Sequence, residues 1–405
     1  MKIGKFADEN NISIETIRHY MDLGLIVPEK KGGHYDFDER CQKDLEDTLH
    51  LKKMGFTLHE IKSLFMFKRL GKLTPFQEDE YYIEFFNNKY KYISKQIEEL
   101  TNMKKNLEGT LKKLSTKKNK KNFTIGVDIK SLPLLSCPKC KQELSLAEGQ
   151  IANNQILNGK LQCKCGIEYL IEDGILFGNN RLREDENIFQ NNYLHEYINE
   201  TDPEYLDNIY KGLEWLYNKL HFKVLNHKVM LDLGSGVGFL LRHIYHDLPD
   251  DILYIAVDHD IRRHKFLKNM LEKADDQKNI LFICSDFLHI PLKDKTIDVL
   301  IDYSGASNYS FDHEDFLLAL IDHYVKEEAI LIGVYIIFKN FSTNSLIKER
   351  YRKNFMIYHI KDELSKLKYK SIDEGTSNTL NYGGKYENYF TEDEKVYAYV
   401  YYGKR

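Results

Sequence analysis

The stretch 229-VMLDLGSGVGFL-240 decides the fold of the larger part of this chain. Its first five residues are mostly apolar and predict a strand, and three glycines and a helical pattern follow. A strand that runs into a glycine-rich turn and a helix is how many proteins hold a nucleotide-like ligand. The spacing is G-x-G-x-G, whereas dinucleotide sites need G-x-G-x-x-G. Asp232 stands two residues before the first glycine.

An alternation of strand and helix patterns surrounds this stretch. We predict a helical segment over about 185–222 and strands at Lys228–Leu233, Leu253–Asp258, Ile280–Ser285, Ile297–Asp302, Ala329–Phe338, Tyr369–Glu374 and Val396–Tyr402. Helices between such strands predict an α/β, doubly wound and mostly parallel sheet of the Rossmann-like class. In that class the ligand lies at the carboxyl ends of the strands.

Two further motifs follow the glycine turn at regular spacing. Asp258 ends the second predicted strand, where a carboxylate accepts the hydroxyls of a ribose. The segment 285-SDFLHIPLKDKTIDVLI-301 comes next. Together the three motifs resemble those of class I S-adenosylmethionine-dependent methyltransferases. The resemblance implies that S-adenosylmethionine is the cofactor and that its site comprises Asp232, Gly234, Ser235, Gly236, Gly238, Asp258, Asp286 and Phe287. A nicotinamide site and a degenerate, empty fold are the alternatives.

The sequence does not name a catalytic residue. The segment 302-DYSGASNYSFDHED-315 lacks the N/D-P-P-Y/F and Pro-Cys signatures of DNA-base methylases, so we do not expect that activity. Tyr303, Tyr309 and His313 are either contacts of a methyl acceptor or ordinary pocket residues. The tyrosine-rich segment 382-YGGKYENYF-390 either lines a pocket for an aromatic ligand or forms strand faces.

Four of the six cysteines form two tight pairs, Cys137 with Cys140 and Cys163 with Cys165. Two knuckles that each offer two thiolates suit a tetrahedral Zn²⁺ site, and we predict these four residues as structural zinc ligands. A chance cluster of thiols or a redox pair is the alternative. The segment resembles the small zinc ribbon of the Trm112 type, which precedes some bacterial methyltransferase domains.

The beginning of the chain has a different character. Ile3–Glu9 predicts a short helix, and Ser13 is placed to cap a second helix that ends at Gly24. Two short helices joined by a tight turn predict a helix-turn-helix, whose second helix can enter the major groove. The segment 32-GGHYDF-37 predicts a hairpin, or wing, and a helical pair over 38–70 is broken at 54-MGFT-57.

This beginning resembles the N-terminal domain of MerR-family transcriptional regulators. The resemblance rests on 3-IGKFADENNISIETIRHYMDLGLIVPEK-30, 33-GHYDF-37 and 54-MGFTLHEIKSLF-65. It implies promoter DNA as the partner. The predicted DNA contacts are Thr16, Arg18, His19, Tyr20 and Tyr35. The wing carries Tyr35 where the family usually has Arg, which removes one phosphate contact. A three-helix interaction module without DNA is the alternative.

A long helix is predicted over residues 79–118. Apolar residues recur at alternating spacings of four and three and form a heptad seam: Phe86, Tyr90, Ile93, Ile97, Leu100, Leu107, Leu111 and Leu114. Such a seam predicts a coiled coil, and the resembled family dimerises through such a helix. We therefore expect a homodimer, with a helix packed on its own domain as the alternative.

The charge of the chain is uneven. Residues 1–121 carry 24 Lys and Arg against 19 Asp and Glu, while the remainder is acidic. A basic front end suits a polyanionic partner. No segment is apolar enough for a membrane span or a signal peptide, so the sequence predicts a cytoplasmic protein without a membrane partner.

These patterns predict four parts. They are a winged helix-turn-helix over 1–75, a coiled-coil helix and basic linker over 76–121, a zinc ribbon over 130–180 and a methyltransferase domain over 185–405. The functional hypothesis is a dimeric transcriptional regulator whose last domain binds S-adenosylmethionine and senses or methylates a small molecule. The alternative is an enzyme that methylates rRNA or a small molecule and uses its first domain for targeting or dimerisation. Whether the methyltransferase domain is an active enzyme stays open.

Overall fold

The structure is a computed structural model, and it describes residues 1–71, 75–115, 123–178, 193–222, 225 and 227–405. Two predicted segments lie partly outside these residues: 116–121 of the coiled-coil helix and basic linker, and 185–192 of the helical segment before the glycine turn. The chain divides into two compact units, Met1–Lys118 and Asn119–Arg405.

The first unit is helical apart from one hairpin. Its elements are α1 (Ile3–Glu9), α2 (Ile14–Asp22), β1 (Glu29–Lys31), β2 (His34–Asp36), α3 (Glu39–Lys53), α4 (Leu58–Gly71) and α5 (Pro75–Ser115). The predicted helices and the break at 54–57 are all present.

Local signals explain where α2 begins and ends. The Ser13 side chain accepts a hydrogen bond from the Thr16 amide at 3.1 Å, which satisfies one free donor at the helix start. Gly24 follows the helix at φ 73°, and the next amide, of Leu25, returns to the Tyr20 carbonyl. A left-handed residue at this position is favourable for glycine.

The wing is a β-hairpin with a two-residue loop. Gly32 and Gly33 both have positive φ, as a type I′ turn requires, and β1 pairs antiparallel with β2. The core of the unit lies beneath it and is formed by residues from α1 to α4.

The helix α5 extends beyond that core. Its first part packs on the domain, where Phe85 stacks on Phe56 with ring centroids 4.8 Å apart. From Ile97 onward the predicted seam residues of α5 are more than half exposed.

The second unit contains a twelve-stranded sheet within the described residues. Its strands are β3 (Val127–Asp128), β4 (Leu144–Ala152), β5 (Gln155–Cys163), β6 (Glu168–Glu172), β7 (Ile175–Phe177), β8 (Val229–Leu233), β9 (Leu253–Asp258), β10 (Ile280–Cys284), β11 (Ile297–Tyr303), β12 (Val325–Asn340), β13 (Lys370–Thr376) and β14 (Lys395–Lys404). Its helices are α6 (Tyr193–Glu200), α7 (Pro203–Lys219), α8 (Phe239–Ile244), α9 (Ile261–Leu271), α10 (Gly305–Ser310), α11 (Leu317–Leu320) and α12 (Ile357–Lys366).

The central part of the sheet is parallel and doubly wound, as predicted. Strands β10, β9, β8, β11 and β12 lie side by side in that order, and β14 then inserts antiparallel between β12 and β13. The strand order reverses between β8 and β11. In open α/β sheets the crevice at such a reversal is where a ligand binds.

Alternation along β8 shows how the two faces are covered. Leu231 and Leu233 belong to the apolar cluster that contains residues of α11 and α12. Met230 belongs to the other cluster, with residues of α7, α8 and α9. Successive strand residues point to opposite faces, so Asp232 points to the same side as Met230.

The cysteine-rich segment continues the same sheet. Strand β7 pairs in parallel with β10, and β6, β5, β4 and β3 follow from β7. Side chains such as Tyr169 and Ile171 share an apolar cluster with Leu281 of β10. The ribbon and the Rossmann-like sheet therefore bury one common core.

All seven strands predicted for the last domain are present. The largest difference is at β12, which begins at Val325 rather than at Ala329. A membrane-spanning helix is not found among the described residues, since none combines sufficient length with sufficient apolarity.

Candidate functional site

The glycine turn begins the site. Gly234, Gly236 and Gly238 all adopt positive φ, at 70°, 54° and 77°, which other residues rarely accept. A side chain at Gly238 would also overlap Leu267 of α9. The amides of Gly234 and Ser235 donate to the Val257 carbonyl, at 2.9 and 3.0 Å. The turn is thereby fixed against the end of β9.

Asp258 supports the turn from the end of β9. One carboxylate oxygen accepts from the Gly236 amide at 2.9 Å, and the other accepts from the Asp260 amide at 2.8 Å. The side chain is 1% exposed. Asp258 therefore couples the shape of the glycine turn to the start of α9.

Asp232 is buried beneath the turn. Its Oδ2 accepts from the Tyr254 hydroxyl at 2.7 Å. Burial raises the pKa of Asp232 to about 7, against the opposing effect of the Tyr254 hydrogen bond, and the negative charge of Asp258 adds to the rise. No Lys, Arg or His among the described residues forms an ion pair with Asp232. A cationic ligand group next to Asp232 would favour its ionised form.

A second buried acid, Asp302, lies next to the last residue of β11, on the other side of the strand reversal. Burial raises its pKa to about 7, although the Ala306 amide donates to its Oδ1 at 2.9 Å. Its Oδ2 has no hydrogen-bond partner within the described part of the chain. Gly305 follows closely and packs against the backbone of Leu233.

Two adjoining cavities open at this edge of the sheet. The first, of about 220 Å³, is lined by Asp232 and the residues of the glycine turn, by helices α6 and α7, and by the loop before β14. The second, of about 300 Å³, is lined by Asp258, Asp286, Phe287, Tyr309 and His313, among others. Gly234, Arg263 and Asn308 line both.

The second cavity has one flat wall. The Tyr309 and His313 rings stack with centroids 3.9 Å apart. The Asp286 carboxylate accepts from the Leu288 amide at 2.7 Å, which fixes its direction. A planar ligand group with donors at its edge suits such a slot.

The first cavity is rich in tyrosine. Tyr303 lines it, and its hydroxyl donates to the Ile209 carbonyl at 3.0 Å. Glu387 and Tyr389 of the loop before β14 line it as well. The predicted tyrosine-rich segment 382–390 is thus a loop at the cavity, and it does not form strand faces.

The four paired cysteines meet in the ribbon, and their sulfur atoms all lie within 4.8 Å of one another. The Sγ atoms are 3.8 Å apart for Cys137 and Cys165 and 3.3 Å apart for Cys140 and Cys163. A disulfide needs about 2.05 Å. A tetrahedron of sulfurs about 2.3 Å from Zn²⁺ has edges of about 3.8 Å, so the cluster fits that ion.

The electrostatics of this cluster favour a thiolate at Cys137. Burial opposes its ionisation, but hydrogen bonds from the Tyr169 hydroxyl and from the amides of Cys140 and Lys139 outweigh burial and lower the pKa to about 6. The Tyr169 hydroxyl lies 3.3 Å from the Cys137 sulfur.

Four of the five residues predicted to contact DNA lie on α2, and three of them, Thr16, Arg18 and His19, are at least partly exposed. Arg18 and His19 are exposed, and Thr16 is half-buried at the start of the helix. Tyr35 is exposed on the wing.

Comparison with known protein families supports two of the predicted parts, the helix-turn-helix domain and the zinc ribbon. The family model described as MerR HTH family regulatory protein matches residues 1–67. Residues 1–67 form a MerR-type helix-turn-helix domain. The model described as Trm112p-like protein matches residues 128–174, so a Trm112-like ribbon follows it.

Individual relatives match the MerR-type part over limited lengths. Nodulation protein NolA of Bradyrhizobium elkanii is 30% identical over 63 residues, which are 15% of this chain and 29% of that protein. A ZntR homolog described as an HTH-type transcriptional regulator, from Haemophilus influenzae, is 29% identical over 109 residues, 26% of this chain and 78% of the relative. The chain thus spans under a third of the length of NolA.

Among solved structures, an S-adenosylmethionine-dependent methyltransferase from Aquifex aeolicus aligns with 52% of this chain and 97% of its own length. The identity is 16% and the TM-score is 0.35.

Tyr20 of the MerR-type domain requires a correction. It was predicted to meet DNA, but its ring is 2% exposed and belongs to the core of the domain. Lys52 donates to its hydroxyl at 3.1 Å. One turn of α2 cannot point three consecutive side chains at DNA, and the third of them faces inward.

Two acids of the site escaped the sequence analysis. Asp302 could have been predicted, because it ends the predicted strand Ile297–Asp302, next to the reversal of the strand order. Asp232 has a similar position, one residue before the end of its own predicted strand. Glu387 lies in the segment 382–390, for which a pocket wall was one of the two predictions, but no pattern distinguished its carboxylate, which reaches the cavity about 150 residues after the glycine turn.

Proposed function

We propose that the chain is a dimeric, DNA-binding transcriptional regulator of MerR type whose second unit binds S-adenosylmethionine and senses or methylates a small molecule. One observation carries the cofactor assignment. Acids stand at the carboxyl ends of three neighbouring strands, Asp232, Asp258 and Asp286, around a glycine turn at the strand reversal.

The residues at the turn fit this cofactor. S-adenosylmethionine supplies an activated methyl group and carries an ammonium, a ribose diol and an adenine. Asp232 is a buried acid without a cation, and the Ser235 hydroxyl is buried without a hydrogen-bond partner in the described residues. Asp258 is placed for the diol, and Asp286 and Phe287 for the adenine.

Zn²⁺ fits the four cysteines for the reasons of distance given above. We assign it a structural role, because Cys137, Cys140, Cys163 and Cys165 complete a tetrahedral set and leave no open position for a reacting molecule.

The exposed seam of α5 supports a dimer. Residues Ile97, Leu100, Leu107, Leu111 and Leu114 are all at least 59% exposed, and they recur along one face of a single long helix. An apolar stripe of this kind is stable in water when another helix covers it. A two-fold dimer also suits an operator with two half-sites.

The DNA part of the proposal is tested with Arg18→Ala. We expect the affinity for DNA upstream of the protein's own gene to fall about tenfold to a hundredfold, since a guanidinium that contacts a base edge contributes about 1–3 kcal/mol. Fluorescence anisotropy in moderate salt with competitor DNA measures it, with and without S-adenosylmethionine.

Lys68→Ala is the matched control, because it removes one exposed positive charge from α4, outside the helix-turn-helix and the wing. If the two variants lose affinity equally, Arg18 has no specific role. If the wild type shows no preference over competitor DNA, the regulator proposal is wrong, and an enzyme acting on RNA or a small molecule takes its place.

A pH dependence follows from Asp232. Its raised pKa keeps the acid protonated in the free protein below about pH 7, whereas a neighbouring ammonium needs the ionised form. Binding therefore releases a proton at low pH, and affinity must rise with pH until Asp232 is ionised in the free protein. We expect an increase of about twentyfold in affinity for S-adenosylmethionine from pH 5.5 to 7.5. Calorimetric titration measures it.

Two variants separate the candidate groups in that experiment. Asp232→Asn should bind more weakly at pH 7.5 and lose the pH dependence. Asp302→Asn should retain it, although both acids have a pKa near 7. A pH dependence that persists without Asp232 would contradict the assignment.

A further inference from the structure

A carboxylate in the first cavity is not used by the cofactor site proposed above. Glu387 lies on the loop before β14, and two tyrosine hydroxyls donate to it. Tyr197 of α6 donates to Oε1 at 2.6 Å, and Tyr205 of α7 donates to Oε2 at 2.9 Å. The Tyr205 hydroxyl is also 2.8 Å from that of Tyr389. The carboxylate is thereby fixed in direction at the wall of the cavity.

This carboxylate has no counter-ion. No Lys, Arg or His forms an ion pair with Glu387 in the described ranges of the chain. Arg263 is the basic residue that lines the same cavity, and it lies 3.7 Å from Asp258 and 3.9 Å from Asp260. Burial raises the pKa of Glu387, while the hydrogen bonds from Tyr197 and Tyr205 lower it, so a cation in the cavity would favour the ionised carboxylate.

Aromatic rings surround the same space. Tyr197, Tyr205, Tyr303, Tyr389 and Phe239 all line the cavity. The rings of Tyr197 and Phe239 are 5.5 Å apart, and Phe239 begins the helix after the glycine turn. The aromatic wall therefore extends from the carboxylate to the turn. The faces of aromatic rings attract cations, and quaternary ammonium ions are recognised by such cages.

The loop that carries Glu387 is also held by its backbone. The hydrogen bonds run from the Asp202 amide to the Gly383 carbonyl at 3.0 Å and from the Lys385 amide to the Glu200 carbonyl at 2.9 Å. Thr201 and Gly384 also form a β-bridge.

We propose that Glu387 and the surrounding tyrosines bind a small organic ammonium ion. It would be the molecule that the second unit senses or methylates. The inference deepens the proposed function and rests on it for the role of the ligand. The binding of an ammonium ion by Glu387 and the tyrosines does not depend on the proposed function.

The test compares two probes of nearly equal shape, choline and its neutral carbon analogue 3,3-dimethylbutan-1-ol. We expect calorimetric titration of the full chain to give at least tenfold tighter binding of choline, because the ring faces and Glu387 act on charge and not on shape. Equal affinity for the two probes, or tighter binding of the alcohol, would overturn the proposal.

Glu387→Gln is expected to reduce the preference for choline to less than threefold. Glu374→Gln is the matched control, since Glu374 also accepts from a tyrosine hydroxyl, that of Tyr399, but does not line either cavity. It should leave the preference unchanged. Tyr205→Phe keeps the aromatic ring and removes one hydrogen bond to Glu387, so it should retain most of the preference for choline. If Glu387→Gln does not fold, the comparison of the two probes is made on Tyr205→Phe and on the wild type, and loss of the preference in Tyr205→Phe would contradict the role given to the rings.

Titration with S-adenosylhomocysteine separates this proposal from the proposed function. If S-adenosylhomocysteine does not bind but choline is preferred, the cofactor assignment fails and the ammonium site stands. If S-adenosylhomocysteine binds without any preference for choline, the ammonium site fails alone. Competition between the two would mean that the cage receives the cofactor itself, which also overturns a separate ammonium site.

Discussion

Loss of the proposed Zn²⁺ from the ribbon is expected to destabilise the whole second unit. Cys137→Ser should lower its unfolding temperature by about 10 °C or more, corresponding to a loss of at least about 4 kcal/mol in the free energy of unfolding. Zinc sites of this kind contribute to folding directly, because the ligands are not assembled in the unfolded chain. Cys137 is fully buried in the core that the ribbon shares with the large sheet.

Thermal unfolding followed by circular dichroism, with metal content from mass spectrometry, measures this effect. The wild type should hold one zinc ion per chain and lose stability in a strong chelator. Cys284→Ser is the matched control, because Cys284 is a buried cysteine of β10 that lies outside the cluster. A wild type that binds no zinc, or a chelator that leaves the melting curve unchanged, would exclude a structural metal.

Asp258→Ala is expected to abolish measurable binding of S-adenosylmethionine, with a loss of at least about a hundredfold. Two effects add. The Gly236 and Asp260 amides lose a buried charged acceptor, and each such bond contributes about 1.5–3 kcal/mol. The proposed contact with the ribose diol disappears as well. Calorimetric titration at pH 7.5 measures the affinity.

Asp260→Ala controls for damage to the fold. Asp260 lies two residues further on and caps α9 by accepting from the Arg262 amide at 2.9 Å, but it lines neither cavity. We expect it to lower stability by about 1 kcal/mol and to leave cofactor affinity within threefold of the wild type. If Asp258→Ala still binds S-adenosylmethionine within threefold of the wild type, the cofactor site has been placed wrongly.

Local patterns predicted much of this molecule. Some signals act over only a few residues, so they can be recognised in the sequence. They are the helix cap at Ser13, Gly24 after the C-terminal end of α2, and the glycines Gly32 and Gly33 of the hairpin loop. The parallel strands were predicted because a buried strand is a continuous apolar run. The glycine turn and Asp258 were found because their spacing along the chain reflects one β-α-β unit.

Features that depend on distant residues were not predicted. The contact of Glu387 with Tyr197 and Tyr205 joins residues more than 180 positions apart. No spacing rule covers such a contact, so only the folded chain shows that these side chains meet. The burial of Tyr20, by contrast, has a local cause, because Tyr20 lies three residues after the buried Ile17 on the same face of α2.

The pairing of β7 with β10 has a consequence for how the chain is made. Ile175 lies beside Phe282 in the sheet, so the ribbon emerges from the ribosome about 100 residues before the strand that it joins. At about 5–20 residues per second this is a delay of about 5–20 s. During that time Ile175 and Leu176, which are fully buried in the finished protein, have no strand β10 to cover them. The nascent ribbon therefore exposes these two apolar side chains until β10 has been synthesised.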